Sequence, residues 1–141
     1  MNSQAAALAA AILADLRAVG DPARAASERS YLKSRRDFLG VSVPLTRKIV
    51  RAHLRHAGVD GRDAAVALAS ALWEGPVFES RRAAVEVLAA SSGRLDEKDL
   101  VLVERLVRDA ETWALVGPLA TEVGGAVVSR GTTPWVSETL D

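Results

Sequence analysis

Cysteine is absent from the 141 residues, and histidine occurs only twice. Such a chain cannot build a disulfide, a thiolate zinc site, an iron–sulfur cluster or a cysteine nucleophile. Two histidines are too few for most imidazole-built metal sites. No metal and no cofactor is therefore expected, and the lack of disulfide chemistry fits a reducing, cytoplasmic setting. Long apolar runs are also missing. The longest near the start, Ala5 to Leu13, is shorter than a bilayer span. No Lys or Arg precedes it and Asp15 follows closely, so it does not read as a signal peptide, and no membrane role is expected. Aromatic residues make up only 4% of the chain, which gives each of them weight.

The remaining composition, 49% hydrophobic and 26% charged, is that of a folded soluble protein. The length suits a single domain, 1–141, that buries its own core.

Net charge is zero, with 18 basic and 18 acidic residues, but the charges are segregated. Between residues 29 and 56 stand Arg29, Lys33, Arg35, Arg36, Arg47, Lys48, Arg51 and Arg55 against Asp37 alone. The segments on either side are net acidic. One stretch is thus a candidate polyanion footprint.

Breakers recur regularly: Gly20-Asp21-Pro22, Gly40 to Pro44, Gly58 to Gly61, Gly75-Pro76, Ser91 to Gly93, and Gly131 to Pro134. The pieces between them are rich in Ala, Leu, Arg and Glu and lack strand-like alternation. They predict helices over 3–19, 23–36, 44–57, 62–74, 76–91, 96–110 and 112–130, with a last short turn near 133–140. Asp21 before Pro22 is an N-cap followed by proline at the first helical position. Short helices with tight connections favour antiparallel pairs. These recur about every 35–40 residues, near the ~40–47 of HEAT-type arrays. The expected fold is all-α, with antiparallel pairs stacked as a HEAT-like solenoid; a globular bundle of the same helices is the alternative.

Helix 44–57 is the most informative. At ~100° per residue, Leu45, Ile49, Ala52, His53 and His56 share one arc, which predicts the buried side and makes both histidines core or interface residues. Arg47, Lys48, Arg51 and Arg55 share another arc with no acid among them. Such a face is either a solvated surface or a polyanion-binding one, where its cations would replace counterions condensed on phosphates. Lys33, Arg35 and Arg36, at the end of the preceding predicted helix, suit its dipole and extend the basic patch. Arg81 falls inside an apolar arc with Val77, Val85 and Leu88. It must find a carboxylate or reach the surface, and it or Arg82 is a further candidate for phosphate contact.

Helix 112–130 places Gly117, Ala120 and Gly124 on the face of Trp113, a flat ring above a strip of tiny side chains. That strip suits close helix packing or a groove for a ligand backbone. Pro118 predicts a kink or restart there.

Several landmarks stand in order: Tyr31-Leu32-Lys33, then Phe38-Leu39-Gly40-Val41 and Pro44, then Leu72-Trp73-Glu74 with Pro76, then Thr112-Trp113-Ala114-Leu115-Val116, and Pro134-Trp135. In this set and its spacing the chain resembles the bacterial DNA alkylation repair proteins of the AlkD-like group, HEAT-like DNA glycosylases. The resemblance covers nearly all of this chain but only the first half to two-thirds of a typical member, so the C-terminal repeats are expected to be missing. It implies a concave helical solenoid that binds double-stranded, alkylated DNA. It further implies removal of purines alkylated at N3 or N7, with Trp113 at the lesion and a carboxylate stabilising the developing sugar cation. In the family that carboxylate is an Asp one turn after the Trp; here the position is Gly117. Glu122, Glu111 and Asp109 all fall away from the Trp113 face on the helical wheel. The expectation is a DNA-binding protein of this repair family whose N-glycosylase activity is weak or absent. The alternative is a helical-repeat scaffold for protein partners, or a homo-oligomer, using the C-terminal end with Trp135 and Leu140.

Overall fold

The computed structural model describes residues 2–130. The turn expected near 133–140, with Pro134, Trp135 and Leu140, lies outside the described residues. The elements are α1 (Ser3–Ala18), α2 (Pro22–Leu32), α3 (Val43–Ala57), α4 (Arg62–Trp73), α5 (Phe78–Ala90), two 3₁₀ turns (Ser92–Arg94 and Glu97–Asp99), α6 (Leu100–Asp109), α7 (Trp113–Pro118), a π turn (Leu119–Gly124) and α8 (Gly125–Arg130). The fold is all-α and consistent with helical repeats. Among the described residues the extended pairing is confined to one parallel bridge, Asp37 with Val77.

Local chemistry explains the helix starts. The side chains of Asn2, Asp21, Ser42 and Thr112 each accept a backbone N–H from the first turn they precede. Pro22 occupies the first position of α2, where its missing N–H has no intrahelical role.

Helix α5 is the centre. Every residue from Phe78 to Leu88 is buried, polar ones included. It packs against α3, α4, α7 and the π turn, while α1 covers α3 and α4, and α6 lies on the π turn. Because α5 is enclosed on all sides, its charges must be paired internally. Glu79 takes the backbone N–H groups of Leu39, Gly40 and Val41 at 2.9, 3.0 and 3.2 Å, pinning the loop ahead of α3. Gly40 in that loop has φ +82°, and a Cβ there would overlap the Asp21 carbonyl oxygen, so the loop requires glycine. Phe38 stacks on Phe78 at 4.5 Å beside it.

Four expectations need correction. Helix α2 ends at Leu32, not 36: Lys33 takes the left-handed conformation at φ 52°, and its N–H closes on the Arg29 and Ser30 carbonyls. Lys33, Arg35 and Arg36 therefore lie on the following loop. Helix α5 begins at Phe78 rather than 76, since Val77 is drawn into the bridge with Asp37. Helix α3 buries Thr46, Val50 and Leu54, a face turned from the Leu45–Ile49 arc. The rotation exposes His56, and His53 is half-buried with its Nε2 2.6 Å from Asp15 on α1. Finally, the α-helix ends at Pro118, where an interruption was expected, but it gives way to a π turn that alters the strip of small residues. The extra residue shifts the phase. Gly117 and Ala120 remain exposed, but Gly124 is buried facing Val103 of α6, so the strip of small residues is divided.

Candidate nucleic-acid interface

Trp113 opens α7 and is 65% exposed; Tyr31, near the end of α2, is 75% exposed. Their rings meet edge to face, with centroids 6.2 Å apart. Two large aromatic side chains are thus left exposed against each other, with their ring planes 76° apart.

The junction that presents Trp113 is held from several sides. Trp73 donates its indole N–H to Asp109 Oδ2 at 2.7 Å. Arg81, buried, lies 4.4 Å over the Trp73 ring and donates to the Asp109 carbonyl at 2.5 Å and to its carboxylate at 3.1 Å. The Trp73 N–H, with Arg81 and Arg36 nearby, holds the Asp109 carboxyl below its ordinary pKa. Burial, then the like charge of Arg36, lowers that of Arg81. Arg36 donates to the Gly75 carbonyl at 3.1 Å and sits 3.8 Å from Glu111. Glu111 has φ 67°, so the helical wheel does not govern where its side chain goes. Arg81 thus does find its carboxylate.

The nine basic residues singled out from sequence divide into two groups. Arg36, Arg47, Arg81 and Arg82 are engaged inside the protein. Arg47 donates to Glu86 at 2.8 Å, and its Nη2 lies 4.0 Å from Glu122; Glu86 raises its pKa. Arg82 bonds to Glu86 and lies 3.5 Å from Glu122. Lys33, Arg35, Lys48, Arg51 and Arg55 are exposed and form no ion pair among the described residues. The rotation of α3 explains Arg47: it borders the buried face, whereas Lys48, Arg51 and Arg55 point outward.

The basic segment meets the tryptophan-bearing run at two points. Tyr31 touches Trp113 at its start, and Arg47 reaches Glu122 nine residues later, roughly 13 Å along at ~1.5 Å per residue. A Cβ placed at Gly117, between those points, would meet nothing within 4 Å. No group of three or more candidate metal ligands occurs among the described residues.

Sequence reasoning missed Glu79, Glu86 and the Tyr31–Trp113 contact. On a helical wheel Glu79, Arg82 and Glu86 share one arc and resemble a solvated face, so no signal in the sequence marks them as buried.

The fold is all-helical and consistent with helical repeats, and it carries an exposed aromatic pair beside a basic segment. Residues 12–139 match the family model for the DNA alkylation repair enzyme. The chain belongs to that family, which gives it a role in DNA repair with DNA as substrate or partner. Comparison with curated proteins finds no match.

Proposed function

We propose that this protein binds double-stranded DNA carrying alkylated bases, and that it releases such bases weakly or not at all. The observation that carries the first half is the outward face of α3: Lys48, Arg51 and Arg55 stand exposed with no carboxylate opposing them among the described residues. Lys33 and Arg35, exposed on the loop between α2 and α3, add to the proposed contacts. These five cations contact backbone phosphates and set position rather than sequence preference. Trp113 and Tyr31 supply a π surface for a base, and a cationic alkylpurine gains cation–π attraction there. The second half rests on Gly117, which has room for a carboxylate but no side chain to offer.

Binding to a short duplex, followed against salt, tests this reading. Affinity should fall steeply, and replacing Lys48, Arg51 or Arg55 singly by Gln should each reduce the log–log slope by about one. A slope near zero for the unaltered protein would reject DNA binding and leave the protein-scaffold alternative. One domain spanning 1–141 and a cytoplasmic location belong to the same proposal.

A further inference from the structure

Arg47 and Arg82 turn toward one exposed carboxylate. Arg47 Nη2 lies 4.0 Å from Glu122 Oε1, and Arg82 Nη2 lies 3.5 Å from Glu122 Oε2. Both guanidinium groups also hold Glu86, which is 1% exposed and is their permanent counter-ion. Two cations against one fixed anion leave a single positive charge. The distances to Glu122 are long for charge-assisted bonds, and its side chain is 41% exposed. Arg82 Nε, buried, has no hydrogen-bond partner. The geometry is that of an oxyanion seat loosely filled by an internal carboxylate. Glu122 lies within the π turn.

We propose that Arg47 and Arg82 form a seat for one backbone phosphate of DNA, and that Glu122 occupies this seat in the free protein. A phosphodiester carries one negative charge, which matches the charge left by the Arg47–Arg82–Glu86 group. It replaces Glu122, whose carboxylate swings into water. Glu122 is thus a built-in competitor that weakens binding until a duplex is fully seated. This proposal rests on the DNA-binding reading above.

The test compares Glu122→Gln, Glu104→Gln, and Glu122→Gln combined with Arg47→Gln. Glu104 lies on the exposed side of α6, so its replacement removes the same charge away from the seat. Glu122→Gln should bind duplex about fivefold tighter or more at low salt, with a salt slope steeper by about one. Glu104→Gln should give a clearly smaller gain, and the double variant should lose the gain. Equal gains for the two single variants, survival of the gain without Arg47, or weaker binding by a normally folded Glu122→Gln would overturn the proposal. Should Glu122→Gln not fold, Glu122→Asp, which shortens the reach, must shift affinity in the same direction. If the unaltered protein binds no duplex at all, the DNA reading fails by itself. Inorganic phosphate then decides for the seat. Phosphate must raise the melting temperature of Glu122→Gln above that in chloride of equal ionic strength, and not that of the double variant; no difference overturns the seat as well.

Discussion

Gly117→Asp should raise release of 7-methylguanine from alkylated duplex DNA by roughly 100–1,000-fold over the unaltered protein, the scale on which one preorganised electrostatic group acts. A glycosidic bond to a cationic purine is already weakened, and its cleavage leaves positive charge on the sugar. The group most lacking is a fixed anion beside that sugar. Position 117 lies one turn beyond Trp113 on the same helix, and a side chain there enters open space. Replacing an exposed helical glycine also relieves backbone entropy, so the fold should not suffer. Duplex affinity should change little, because the added charge is one among many contacts. Strong release by the unaltered protein, or no gain in Gly117→Asp despite normal DNA binding, would show that another group already supplies the anion or that the base sits elsewhere.

Glu79→Ala should destabilise the fold by about 3–5 kcal/mol, since it strands several buried donors at once. The carboxylate is 1% exposed and takes three consecutive backbone N–H groups, and the bonds from Gly40 and Val41 are buried. The melting temperature should fall by roughly 10 °C or more for a chain of this size. Glu79→Gln keeps one acceptor oxygen and should lose distinctly less. The effect reaches the interface too: residues 39–41 lead into Ser42, whose side chain caps α3. A loosened loop lets α3 shift, so duplex affinity should drop in parallel. A change in melting temperature of only about 2 °C would mean that the loop finds other acceptors.

Much of the architecture was legible in the sequence because it is written locally. Breakers such as Gly20-Asp21-Pro22 and Gly58 to Gly61 carry their own start and stop signals, and the structure places α1, α3 and α4 close to the expected ranges, whereas α6 starts at Leu100 rather than 96 because Glu97–Asp99 forms a 3₁₀ turn. What escaped depended on distant partners. The end of α2 is decided by Lys33 adopting a left-handed turn. The face that α3 buries is chosen by α1 and α5, not by its own apolar arc: Thr46 goes inward and His56 outward. The basic residues divide for the same reason. Periodicity groups Arg47 with Lys48, Arg51 and Arg55, but Glu86, 39 residues later, draws Arg47 inward. A π turn cannot be read from a wheel at fixed pitch, so the positions of Gly124 and Glu122 were beyond reach. Trp113 was identified by resemblance; its contact with Tyr31 joins two helices far apart in the chain.

The central claim is that the outward cations of α3 are the DNA-binding face. The most direct measurement is duplex affinity of Arg51→Glu combined with Arg55→Glu, set against Arg94→Glu combined with Arg105→Glu, which makes the same change in net charge on other elements. At low salt the account predicts a loss of about 100-fold or more for the α3 pair, because two phosphate contacts are lost and replaced by repulsion, and a far smaller one for the other pair. Equal losses, or an α3 pair that binds duplex as well as the unaltered protein, would contradict it.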